Sequence, residues 1–277
     1  MSDEAIQKYL EAIACDPEKS ASYYNIGLIY KYQGAWQKSF EFNQKANALS
    51  PEDEAARWNL AIAATALRNW GVARTKWAEN GFTLTNSEGP IEMDLGMTPV
   101  RLNPDENAEV VWAARIDPVR ARIENIPYPE SGFRHGDVVL HDGAAVGYRK
   151  QGEYEYPVFN VLEMFTPSSF ATHIATVSVE RESDLNALDA IFATSRSIYE
   201  DWTRNIRTLC RACSEGRPHE DHDHEFEDKW FPERRLGIAV YPGDDIDQIF
   251  KQWQDTSGGQ ILQFIEPEIA REQNQAP

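Results

Sequence analysis

The sequence predicts an α+β chain of several parts: paired helices at the N-terminus, a small mainly-β barrel-like middle, and a C-terminal segment of mixed strands and helices. Three observations predict it. The first eighty-odd residues match themselves at a shift of 34. From about residue 90, short alternating runs broken by Gly, Pro and Asp replace helical spacing. Beyond Thr166-Pro167-Ser168-Ser169 the apolar period switches between 2 and 3.6 in the order βαββαβ.

The repeat comes first. Under the 34-residue shift Pro17 falls on Pro51, Asn25 on Asn59, Ile26 on Leu60, Gly27 on Ala61 and Trp36 on Trp70. Each match has a physical reason. Gly27 and Ala61 stand where two helices cross too closely for a larger side chain. Tyr30, Trp36 and Phe40 fill the space within a helix pair, and Pro17 and Pro51 end the helices before them. Residues 4–15, with Ile6, Tyr9, Leu10 and Ile13 at helical spacing, match the second helix of a repeat that lacks its first.

A large aromatic, a Leu or Ile, a small residue, a Tyr, the turn residue Gly34 and a closing Pro together resemble the tetratricopeptide repeat. The resemblance implies two and a half repeats over residues 4–82, inside a domain of residues 1–85, with a shallow concave face for a protein partner. Tyr24, Asn25 and Asn59 are the candidate partner-binding residues there. The second repeat departs from the pattern at Arg68 in place of the turn Gly, Asn80 in place of Ala and Thr85 in place of Pro. That end is expected to cap against the next domain. A purely intramolecular scaffold is the alternative.

In the middle part, residues 90–165, the expected strands are Val110–Ile116, Ala121–Ile126, Asp137–His141, Val146–Arg149 and Pro157–Met164. Asp117-Pro118, Pro127-Tyr128-Pro129, Asp142-Gly143 and Gly152 read as breaks between them. Five short strands without helices predict a small barrel of the SH3-like or OB type. Arg115, Arg120, Arg122, Arg134 and Arg149, with Trp112 and Tyr148, are the residues a nucleic-acid face would use. Their acidic neighbours argue against direct nucleic-acid binding. His135 and His141 read as ordinary hydrogen-bonded residues.

The C-terminal part, residues 170–268, reads as a ferredoxin-like plait followed by a flexible tail, 269–277. Its expected elements are strand 174–180, a helix capped by Ser183-Asp184, strand 197–209, strand 234–241, helix 244–255 and strand 260–266. Where a tight hairpin is expected, residues 210–230 instead carry Cys210 and Cys213, then His219, His222 and His224. Four of these five complete a tetrahedral Cys₂His₂ shell, for which zinc is the natural structural metal. Glu220, Asp221 and Asp223 surround the histidines, either as acceptors for imidazole N–H groups or as contacts for a basic partner. Leu209–His219 and Gly136–Gly143 also look like segments of uncharacterised bacterial proteins that carry short tetratricopeptide repeats; that likeness brings no activity.

Charge is unevenly placed. Residues 1–85 hold nine Lys/Arg and ten Asp/Glu, whereas the rest holds 18 and 35. Such a surface repels phosphate backbones and anionic lipid and steers basic proteins toward itself. No run of eighteen apolar residues occurs, so no membrane span is expected. Met-Ser-Asp-Glu is not the start of a secretory signal, and three cysteines are not a disulfide framework. A cytoplasmic location is expected. No H-E-x-x-H, P-loop, nucleotide-binding glycine fingerprint or G-x-S-x-G occurs. The expectation is a non-enzymatic adaptor that binds another protein. The alternatives are an immunity-type inhibitor masking a basic toxin or nuclease, and a zinc-dependent hydrolase.

Overall fold

A computed structural model of the chain describes residues 2–203 and 230–267. Among them it is an α+β mixture of seven α-helices and two β-sheets. The helices α1 (Ser2–Cys15), α2 (Ser20–Tyr32), α3 (Trp36–Leu49), α4 (Glu54–Ala66) and α5 (Trp70–Glu79) come first. Strands β1 (Met97–Leu102), β2 (Glu109–Arg115), β3 (Arg120–Ile123), β4 (Val138–Gln151) and β5 (Tyr154–Thr166) close into a barrel in sequence order, with β1 antiparallel to β2 and parallel to β5. Then come β6 (Ala171–Ser178), α6 (Glu182–Phe192), β7 (Ile198–Asp201), β8 (Glu233–Val240), α7 (Ile246–Thr256) and β9 (Gln260–Ile265). Their four strands form a sheet in the order β7-β8-β6-β9, every neighbour antiparallel.

The chain divides into two compact units. The first holds the residues up to Gly96 with Arg115–Ala121 and Val139–Ala144; the second holds Met97–Ala114, Arg122–Val138 and the residues from Ala145 on.

In the first unit the 34-residue period is also the period of the backbone. Helices α1, α3 and α5 begin at Ser2, Trp36 and Trp70, and α2 and α4 at Ser20 and Glu54. The turns repeat bond for bond: Gln33, Gly34 and Ala35 donate to Ile29, Lys31 and Tyr30, and Leu67, Arg68 and Asn69 donate to Ala63, Thr65 and Ala64. Both turns need a left-handed residue. Gly34 supplies φ 67° without strain, and Arg68 adopts φ 56° at a cost of about 1 kcal/mol. Gly27 sits where the small-residue pattern expects a close crossing. A Cβ there would overlap the Asn43 amide, which is fixed by its bond to the Ser39 carbonyl while the Ser39 hydroxyl donates to the Gly27 carbonyl.

In the second unit, α6 and α7 cover one face of the sheet through Leu185, Leu188, Phe250 and Trp253 against Ala175, Val177, Leu236 and Ile238. The other face carries Ile174, Ala239 and Trp202 against Ile126, Tyr128 and Phe170. Gly237 is required there, because a Cβ would enter the Trp202 indole.

The strands differ from expectation in three places. β1 runs through Pro99 and lies outside the expected strands. Asp142-Gly143 does not break β4, which is continuous for 14 residues. β7 ends at Asp201 rather than Leu209, because the Asp201 carboxylate accepts the Thr203 N–H and the Arg234 guanidinium and turns the chain out of the strand.

Two glycine substitutions separate packing from propensity. Gly27→Ala is expected to destabilise the chain by about 1–3 kcal/mol through overpacking. Gly71→Ala, in open space within α5, is expected to stabilise it by about 0.5–1 kcal/mol. Urea unfolding of the full chain, followed by helical circular dichroism, checks both.

Candidate functional site

Helices α2 and α4 and strand β4 bring together an unusual group of side chains in the first unit. Lys31, in the last turn of α2, is 3% exposed, and Asp142 of β4 is 5% exposed. The Lys31 ammonium lies 2.9 and 3.1 Å from the two Asp142 oxygens and donates to Asn59 Oδ1 of α4 at 3.2 Å. Its three donors are thus spent on a carboxylate and an amide. The Tyr32 hydroxyl donates to Asp142 Oδ2 at 2.9 Å, and the Gly143 N–H donates to Oδ1 at 2.7 Å. The ammonium also stands 4.4 Å from the centre of the Tyr32 ring.

Electrostatics follow from this enclosure. Partial burial, and then the negative charge of Asp142, raise the Tyr32 phenol well above its usual range. His141, fully buried beside Asp142, is pushed down to about 4 by burial. It is therefore neutral at pH 7, with Nδ1 donating to the Asp142 carbonyl at 2.8 Å.

Glycine and tryptophan complete the arrangement. A Cβ on Gly143 would run into the Trp58 indole of α4, so only glycine lets β4 lie against that helix. Trp58 is itself held edge-on to Trp77 at 4.9 Å between centroids. A second anchor lies nearby in sequence. Arg120 bonds the Asp117 carboxylate and the Ile91 carbonyl, each at 2.6 Å, with its guanidinium 4.8 Å from the Trp70 ring centre of α5. The helices thus contact two strands of their own chain, β4 through Asp142 and β3 through Arg120.

The sequence-predicted residues fall unevenly on this site. Asn59 is in it, holding Lys31. Tyr24 is half-buried and close enough to Tyr32 to influence its phenol. Asn25 instead bonds within its own helix, to the Ala21 carbonyl at 2.7 Å. Cys210, Cys213, His219, His222, His224, Glu220, Asp221 and Asp223 lie outside the described residues. Among the described residues no group of three or more His, Cys, Asp or Glu side chains is arranged to hold a metal. Sequence reasoning missed Lys31, Tyr32, Trp58, Asp142 and Gly143 as a group. The one signal for it was Gly136–Gly143, which stood out as a recognisable segment and ends on the two β4 residues that matter.

No protein-family model and no curated protein matches the chain. Among solved structures it is similar to a hypothetical protein from Neisseria gonorrhoeae, at 10% identity and a TM-score of 0.28, over 65% of this chain and 99% of that one. That likeness is too low to speak for fold or function.

Breaking the pair on one side should cost far more than replacing it whole. Asp142→Ala leaves the Lys31 ammonium buried and uncompensated, for an expected loss of about 3–5 kcal/mol. Lys31→Met combined with Asp142→Leu is expected to recover most of that loss. A double-mutant cycle in urea measures both.

Proposed function

We propose that this protein is a non-enzymatic adaptor that holds another protein through its N-terminal helix pairs, which we take to be of the tetratricopeptide type. The observation that carries this reading is the face that α2 and α4 turn to β4. It is built to hold an extended stretch of chain and already does so with residues 139–144, leaving Tyr24 half-exposed and Tyr32 61% exposed at its margin. Tyr24 and Tyr32, at the margin of that contact, are the side chains left exposed to a second strand. We further take the βαββαβ segment to be a ferredoxin-like plait whose insert is ordered by a structural zinc on four of Cys210, Cys213, His219, His222 and His224.

A second reading has its own support. The 35 acidic against 18 basic residues beyond Thr85 suit an inhibitor that masks a basic toxin or nuclease. Salt separates the two, because charge steering fades as the Debye length shrinks below about 10 Å.

Affinity capture from the native host, using the full chain and a Tyr24→Ala/Tyr32→Ala variant at low and high salt, tests the adaptor. It is expected to retain its partner at high salt and to lose it in the variant. Capture that vanishes with salt and ignores the variant would favour the inhibitor and sink the adaptor. Metal analysis of the purified chain tests the insert. One zinc per chain, absent in Cys210→Ser, is expected; a stable metal-free protein refutes the site.

A further inference from the structure

One edge of the four-stranded sheet, among the described residues, is an uncharged strand. β9 stands last in the order β7-β8-β6-β9, and among the described residues β6 is its only hydrogen-bonded neighbour. Its six residues, Gln260–Ile265, include no charge in a chain that is 26% charged. The pairing with β6 also skips a residue: Ile261 faces Val177 and Gln263 faces Thr176, so Leu262 is extra and is turned outward, 52% exposed. Ile265 is 40% exposed. Of the devices that keep edge strands alone, β9 carries the bulge at Leu262 but no Lys, Pro or charge between its first and last residue.

We infer that β9 pairs antiparallel with β9 of a second copy of this chain, joining two four-stranded sheets across a two-fold axis. Self-pairing is favoured over pairing with a foreign strand by its register. Centred between Leu262 and Gln263, it sets Ile261 against Phe264 and Gln260 against Ile265. Ile261 and Phe264 both pack toward the helix-covered core in each copy, so the apolar side of one sheet continues into the other. Glu266 falls opposite Gly259, so no like charges meet. Two chains of formal charge −18 repel one another overall, and this strand carries none of that charge. At about 3.4 Å per residue the contact is only about 20 Å long. That places it among small, reversible interfaces rather than obligate ones.

Sedimentation equilibrium of the full chain, from low-micromolar to several-hundred-micromolar concentration, is expected to show the mass rising from one chain toward two. The rise should be steeper in high salt, where the mutual repulsion is screened. In parallel, hydrogen exchange of the unmodified chain should show the 260–265 amides about tenfold more protected at the high concentration. Leu262→Lys should abolish the mass increase, while Val146→Lys, at an exposed apolar residue of β4, should leave it unchanged. A chain that stays single at every concentration and salt overturns the inference. So does association that salt dissolves, association that both variants abolish equally, or protection of these amides without a change in mass.

Discussion

A lysine ammonium with 3% of its residue surface exposed can persist only if every donor finds an acceptor, and Lys31 finds Asp142 twice and Asn59 once. That requirement organises the first unit. It fixes which residue of β4 faces the helices, since a slip of one position would present His141 or Gly143 to the ammonium and turn Asp142 to the opposite side of the strand. Gly143 then has to be glycine because the next position lies on the Trp58 indole. A matched apolar pair would hold the strand about as firmly. The ion pair adds register, because a misplaced strand leaves a bare charge behind.

The repeat was legible because its determinants are local. Pro, Gly, small and aromatic residues recur at 34 because the same backbone recurs at 34, and the helix starts keep that period residue for residue. Even the departure at Arg68 is informative: the turn keeps its hydrogen bonds and its positive φ after losing its glycine, because the flanking helices fix the connection. The stretch of chain that the helices hold was not legible. Lys31 and Asp142 lie 111 residues apart, and nothing near either announces the other. Asp-Gly is strong turn chemistry taken alone. In the fold the Asp carboxylate spends its acceptors on Lys31, Tyr32 and Gly143, and the strand continues.

The remaining strands were misread for related reasons. Pro99 argues against a strand on local grounds, yet β1 accommodates it opposite Trp112. The short β7 depends on Asp201, whose pairing with Arg234 of β8 is again a contact distant in sequence. Gly237 and Gly259 show the converse case. Gly237 falls inside the expected strand 234–241 and Gly259 just before the last one, and each is where a tryptophan, Trp202 or Trp253, lies against the backbone.

The formal charge of −18 counts Glu109 as ionised, although burial holds its proton on at neutral pH. In the second unit the linker Asn125–Tyr128 lies between two glutamates: Glu200 accepts the Asn125 amide at 2.7 Å, and Glu109 accepts the Tyr128 N–H at 3.2 and 3.3 Å. Burial pushes Glu109 up to about 8 against the pull of that N–H, with the negative charge of Glu200 adding to the rise, and burial raises Glu200 as well. Glu109 therefore keeps its proton through neutral pH in the fold and loses it near pH 4.5 in the unfolded chain. Its contribution is fully present below the unfolded value and is lost as pH rises through the folded one. Raising the pH thus gives the chain more negative charge while loosening the linker that joins β3 to the 3₁₀ turn at Pro129–Ser131 and, through Trp202 and Tyr128, the sheet beneath it. In the second unit, acidity and stability are thus coupled at Glu109, beside Glu200.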